Sequence, residues 1–233
     1  MSAFALPLPE SPSLPIVGSE GRFLVRRIYC VGRNYLAHVR EMKEGADERD
    51  PPFFFQKPRD ALVQDGAAIP YPPLTTNLHH EVELVAAIGR GGARIPVEDA
   101  LDHVFGYAVG VDLTRRDLQT IAKDKGWPWE MGKAFDASAP VAAITPASVA
   151  GHGVRGITLG VNDVVRQAST TAHMTWSVAE IVANLSTHYR LEPGDLILTG
   201  TPEGVGPLVP GDRVSAEVEG LAPLSFTIVP GEE

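Results

Sequence analysis

The sequence predicts an α+β domain dominated by strands, with few helices and a small N-terminal segment. Three observations carry that expectation. Short apolar, β-rich runs bounded by Gly, Pro, Asn or Asp recur along the chain. Only a few stretches show helical character, and the clearest apolar helical spacing is at Met174, Val178, Ile181, Val182, Leu185 and Tyr189. Finally, 233 residues with 44% hydrophobic and 21% charged side chains describe an ordinary globular chain with a core, not a disordered one.

Residues 1–20 carry prolines at 7, 9, 12 and 15 and read as an extended arm. A β-rich run follows over 26–32, closed by Gly32. Asn34 is then placed to cap a short helix reaching Met42. The polar stretch 43–52 reads as a loop, and Phe53, Phe54 and Phe55 restart a strand. From Ile69 onward the pattern is mainly strands, including 81–88 and 104–112. Thr114 and Asp117, three apart, resemble a capping box for a helix over 115–125. Residues 156–167 read as a hairpin turning at Asn162 and Asp163. Pro-Gly-Asp occurs at 193–195 and 210–212, each time ahead of an apolar run, as turns feeding strands.

Composition excludes several functions. The net charge of −9 argues against nucleic acid and anionic membrane surfaces as partners. The longest mostly apolar run, 104–111, falls far short of the roughly 18 residues of a membrane span. The first residues hold no basic n-region, and their prolines interrupt any apolar core, so no secretory signal is expected. The single cysteine, Cys30, permits neither an intrachain disulfide nor a multi-cysteine zinc site. It lies in an apolar run with no base nearby in sequence and reads as a buried structural thiol. A soluble, cytoplasmic protein is the expectation.

The most informative local pattern is Glu81-x-Glu83 in an apolar segment. On a strand these side chains share a face, roughly 6–7 Å apart. Alone, such a pair most often marks a solvent-facing edge. Asp112 ends a second apolar strand and shifts the reading, because three carboxylates without cysteine suit a hard cation, Mg2+ or Mn2+. His79 and His80 precede the pair and read as packing or supporting groups. His38 and Glu41 are three apart, so on a helix a carboxylate could orient an imidazole for proton transfer, although with Arg40 and Lys43 nearby a charged surface helix is the better reading of the pair taken alone. Arg116 and Gln119 share the same spacing beyond Asp112 and could grip a carboxylate beside a metal. Lys133 sits in a weakly charged stretch where a lysine near a metal would stabilise anions. The loop 200–206 lacks the Gly-Lys-Ser/Thr ending of a phosphate loop and reads as a turn that lines a pocket through Thr201. Trp127 and Trp129 read as core packing by default, with a pocket wall or subunit contact as alternatives.

Taken in order, these pieces resemble the fumarylacetoacetate hydrolase family over nearly all of residues 26–230. The carriers are Tyr29-Cys30-Val31-Gly32-Arg33-Asn34-Tyr35 with His38, then Phe55-Gln56-Lys57-Pro58 and Asn77-x-His79-His80-Glu81-Val82-Glu83-Leu84. They continue with Gly106-Tyr107, Asp112-Leu113-Thr114-x-Arg116-Asp117-x-Gln119, Gly132-Lys133-x-Phe135-Asp136, Gly194-Asp195 and Leu198-Thr199-Gly200-Thr201-Pro202-x-Gly204-Val205-Gly206. The resemblance implies a mixed β-roll of the family's C-terminal domain type and a homodimer, with a divalent metal on Glu81, Glu83 and Asp112. It implies a lid around residues 34–50 that carries His38 and Glu41 as a catalytic pair, with Lys133 as the catalytic lysine. Arg116, Gln119 and Thr201 would hold a 2-oxo-carboxylate. The chain then divides into an N-terminal arm and small lid-bearing segment, 1–68, and a catalytic β-roll, 69–233. The expected activity is metal-dependent hydrolysis of the carbon–carbon bond of an acylpyruvate such as fumarylpyruvate. Decarboxylation of oxaloacetate, or keto–enol isomerisation of a 2-oxo diacid, is the alternative. The proline-rich arm carries no family motif and receives no role.

Overall fold

The computed structural model describes residues 6, 10–35 and 50–231. Its strands are β1 (Arg27–Gly32), β2 (Phe53–Lys57), β3 (Ala67–Pro70), β4 (Val82–Ile88), β5 (Val104–Val111), β6 (Thr145–Pro146), β7 (Gly156–Val161), β8 (Val164–Thr170), β9 (Asp195–Leu198), β10 (Arg213–Val218) and β11 (Leu224–Val229), beside several shorter pieces. Six of them form one sheet in the order β6-β5-β4-β9-β1-β2, and five form a second in the order β8-β7-β10-β11-β3. Within these two sheets pairing is antiparallel except between β9 and β1 and between β11 and β3. Mixed sheets with few helices are what the sequence predicts. Residues on both sides of position 68 share the six-stranded sheet.

Alternation along the strands sorts the core into two faces. Leu84, Ala86 and Ile88 of β4 join Val109 and Val111 of β5 and the inner residues of the second sheet, such as Ile157, Leu159, Val214 and Phe226. Val85 and Ala87 face the other way, onto Ile28, Cys30, Val141, Leu196 and Leu198. Because β4 is buried on both faces, its neighbours must lie close. At Gly110 of β5 a Cβ would approach Val85 Cγ2 to 2.6 Å, so only glycine fits there.

The N-terminal arm expectation is corrected over residues 13–17. Ser13–Pro15 pairs antiparallel with Arg22–Leu24, and Leu14 is fully buried against Val25, Ile28 and Ile144. Val17 N–H also donates to Ile144 O. Proline forbids a helix here but not a short edge strand.

One capping expectation is also corrected. Helix α1 (Arg116–Lys125) begins after Arg115 with no side-chain cap. Asp117 instead accepts from Thr75 Oγ1 at 2.6 Å and Thr76 N–H at 3.1 Å, while the Thr114 hydroxyl donates to Asp112 O. The Asn34 side-chain oxygen accepts from Trp176 N–H at 2.7 Å, and the helix expected to follow it lies outside the described residues. The single turn α2 (Glu130–Lys133) follows α1. Helix α3 (Val178–His188) starts with a full Ser177–Glu180 capping box and packs on the 3-10 turn Val97–His103. The hairpin at Asn162 and Asp163 forms as expected, both residues holding positive φ. Among the described residues no helix is long and apolar enough to cross a membrane.

Candidate active site

The antiparallel pair β4 and β5 ends where Val82 faces Val111, and there Asp112 N–H donates to Glu81 O at 2.8 Å. That register brings Glu81, Glu83 and Asp112 together, all buried, with one carboxylate oxygen from each lying within 4.8 Å of the others. Burial, and then repulsion from Asp112 and Glu81, push the Glu83 carboxyl well above the ordinary range, although Gly200 N–H donates to its Oε2 at 2.6 Å.

Three buried cations face the trio. Lys133 Nζ lies 2.7 Å from Glu81 Oε2, 2.6 Å from Asp112 Oδ2 and 2.7 Å from Thr114 Oγ1. Burial alone would lower its pKa, but Asp112 and Glu81 outweigh it and raise it, so Lys133 stays an ammonium. Arg116 donates from Nη2 to Glu81 Oε1 and from Nη1 to Gln119 Oε1 at 2.5 Å. Lys57, the last residue of β2, sits 2.8 Å from Asp112 Oδ1 and donates to the carbonyls of Leu113 and Lys133. Its approach to Oδ1 is out of line for a hydrogen bond, which leaves that buried oxygen without one. Clustered hard oxygen donors, one of them lacking a hydrogen bond, fit Mg2+ or Mn2+, and Glu81, Glu83 and Asp112 would hold the ion.

Above the trio opens a cleft lined by Val31, Phe55 and Trp129 on its apolar side and by Arg116, Gln119 and Thr201 on its polar side. Trp129 therefore lines the cleft, standing edge-on to Phe53 with centroids 5.1 Å apart, while Trp127 is more than half exposed; core packing holds for neither. Cys30 is fully buried, and burial raises its thiol pKa well above the usual range, as an inert structural thiol requires.

The supporting groups were less legible. Gln167 of β8 is buried, and its Nε2 donates to Thr201 Oγ1 and Pro202 O, both at 2.9 Å. Its Oε1 accepts from Val82 N–H and pairs with His80 Nδ1. The second sheet thus fixes Thr201 and leaves its hydroxyl proton for a ligand. Burial, and then Arg116, lower the His79 pKa to about 4, so His79 is neutral. Its Nδ1 accepts from Arg116 Nε at 3.4 Å while its Nε2 bonds Asn77 Oδ1, which steadies the guanidinium. Both histidines act as supports, as the sequence suggests. Neither Lys57 nor Gln167 gave a role-bearing signal in the sequence beyond the motif that contains Lys57.

Six of the expected residues and Lys133 converge in this cleft: Glu81, Glu83, Asp112, Arg116, Gln119 and Thr201. His38 and Glu41, and most of the expected lid 34–50, lie outside the described residues. The described flanks meet at one place, where Trp176 N–H donates to Asn34 Oδ1 and Trp176 Nε1 donates to Asp50 O.

The fumarylacetoacetate (FAA) hydrolase C-terminal family matches residues 27–229. A fumarylpyruvate hydrolase from Ralstonia is 47% identical over 180 residues, covering 77% of this chain and 94% of that protein. The human mitochondrial oxaloacetate tautomerase is 41% identical over 205 residues, 87% of this chain and 91% of that one. The crystal structure of fumarylpyruvate hydrolase from Pseudomonas aeruginosa in complex with Mn2+ and pyruvate superimposes with a TM-score of 0.95 at 51% identity, covering 98% of this chain and all of that one. The chain belongs to the fumarylacetoacetate hydrolase family.

Proposed function

We propose that the protein is a divalent-metal-dependent hydrolase that cleaves the carbon–carbon bond of an acylpyruvate, fumarylpyruvate giving fumarate and pyruvate. The observation that carries this reading is the convergence of Glu81, Glu83 and Asp112 with Lys133, Arg116, Gln119 and Thr201 in one cleft. The fumarylpyruvate hydrolases from Ralstonia and Pseudomonas aeruginosa support the substrate.

A divalent cation on the three carboxylates supplies Lewis-acid polarisation of the 2-oxo acid. Arg116, steadied by His79, presents guanidinium N–H donors to the substrate carboxylate beside the Gln119 amide. Thr201 donates its hydroxyl proton to the same end of the substrate. His38, oriented by Glu41, takes a proton from water, and the hydroxide so formed attacks the distal carbonyl carbon. Collapse of the tetrahedral oxyanion breaks the bond to the methylene carbon, releasing the acyl group as a carboxylate and pyruvate as its enolate. The proton held by His38 is returned to that methylene, which completes pyruvate. Lys133 keeps its positive charge throughout and stabilises the negative charge that develops on oxygen.

The tautomerase likeness favours a second reading, decarboxylation of oxaloacetate or keto–enol isomerisation of a 2-oxo diacid, which needs the same enolate but no water attack. Metal-stripped protein is incubated with fumarylpyruvate or oxaloacetate, with and without Mg2+ or Mn2+, and the products are quantified. Metal-dependent, equimolar fumarate and pyruvate is the expected result. Intact fumarylpyruvate, with oxaloacetate tautomerised or losing carbon dioxide, would move the assignment to the second reading. The family resemblance also carries a cytoplasmic homodimer, which a solution mass of twice the chain would support.

A further inference from the structure

Helix α1 places Arg116, Gln119 and Lys123 at i, i+3 and i+7, one stripe along its face. Arg116 and Gln119 are buried at the floor, whereas Lys123 is half-buried farther up the same cleft. Arg33, which follows Gly32 at the end of β1, lines the same cleft. Phe53 occupies the space a Gly32 Cβ would need, at 2.0 Å from the ring carbon Cζ, and the Arg33 guanidinium lies 5.6 Å from the centre of that ring. Arg33 also holds a φ of +61°, a left-handed backbone that a non-glycine residue adopts only with strain. Strain of this kind persists where the surroundings hold a side chain in place.

We infer that Lys123 and Arg33 bind a second, distal carboxylate, so that the cleft selects 2-oxo acids carrying a negative charge at both ends. This rests on the 2-oxo-acid reading of the cleft floor. Two observations support it, beside the place of both cations in the lining of one cleft. Among the described residues neither cation has an ion-pair partner, in a chain whose net charge is −9. Burial, and then the positive charges of Arg33 and Arg116, lower the Lys123 pKa, as expected of cations sharing one low-dielectric opening. A carboxylate between them removes that repulsion.

The test compares 2-oxoheptanedioate with 2-oxoheptanoate, two acids of equal length that differ by the terminal carboxylate. Each is titrated calorimetrically into Mn2+-loaded protein, wild type and the variants Lys123→Gln, Arg33→Gln and Arg33→Gly. The wild type is expected to bind the diacid at least tenfold more tightly, and each variant to reduce that ratio at least threefold. Arg33→Gly relieves the backbone strain, so its thermal midpoint should not fall, which separates lost recognition from lost folding. Equal affinities for the two acids in the wild type, or variants that weaken both acids alike, would overturn the distal site. Failure of both acids to bind would instead defeat the 2-oxo-acid reading of the floor, and the distal site with it.

Discussion

Lys57→Met is the substitution that probes the charge arrangement most sharply. The Lys57 side chain is fully buried, 2.8 Å from Asp112 Oδ1, and its ammonium donates to the Leu113 and Lys133 carbonyls. Methionine preserves most of the volume, so the loss is mainly electrostatic. Removing one partner of a buried ion pair typically costs about 3–5 kcal/mol, and the lower end applies here because Lys133 still pairs with Asp112 Oδ2. The two stranded carbonyls lie within that range and are not added to it. For a chain of this length each kcal/mol lowers the melting midpoint by about 2–4 °C, so metal-free Lys57→Met should melt roughly 6–12 °C below metal-free wild type. Three carboxylates then face two cations, and a divalent ion takes over the missing neutralisation. Saturating Mn2+ should therefore raise the midpoint of the variant more than that of the wild type. Scanning calorimetry with and without Mn2+ reads both effects. A metal-free deficit under about 1 kcal/mol, or equal Mn2+ shifts in the two proteins, would refute the reasoning.

Gln167→Leu removes the partner of His80 Nδ1, Val82 N–H and Pro202 O, and is expected to cost about 2–4 kcal/mol in urea unfolding while raising KM through the loosened Thr201. For Asp117, burial raises the carboxyl pKa, but hydrogen bonds from Thr75, Thr76 and Leu118 outweigh it and hold the group below its ordinary value. A depressed folded pKa gives stability that is present above the unfolded value of about 3.9 and is lost as pH falls through the folded value. Asp117→Ala should thus be about 1–2 kcal/mol less stable than wild type at pH 6, with the gap closing toward pH 3, as urea midpoints at the two values will show. His38→Ala should abolish pyruvate release while leaving the Mn2+ dissociation constant within a factor of two; lost Mn2+ affinity would argue against His38 as the base.

The parts of the site that were readable lie close together in sequence or end regular strands. Glu81 and Glu83 share a strand face by the period of two, and Arg116 and Gln119 share a helix face by the period near four, so local pattern suffices for each pair. Lys57 and Gln167 reach the site only through pairing and packing that no local period encodes. Lys57 stands opposite Ile28 in the β1–β2 register, and Gln167 comes from the second sheet to meet Val82. The misread caps share one cause. Thr114 and Asp117 have the chemistry of helix caps, but other partners claim their side chains: Lys133 and the Asp112 carbonyl for Thr114, and the 75–76 turn for Asp117. In the N-terminal segment prolines signal an extended arm, and buried Leu14 shows that an apolar residue between them is enough to anchor it as an edge strand.

The central claim is that Glu81, Glu83 and Asp112 form the metal centre on which turnover depends. The direct measurement is a Mn2+ titration of metal-stripped wild type, Glu83→Gln and Asp112→Asn, followed by the rate of pyruvate release from fumarylpyruvate in the same samples. The account predicts a single Mn2+ per wild-type chain, at least a hundredfold weaker binding in both variants, and pyruvate release that tracks the bound Mn2+. Undiminished Mn2+ affinity in either variant, or pyruvate release that persists without metal, would contradict it.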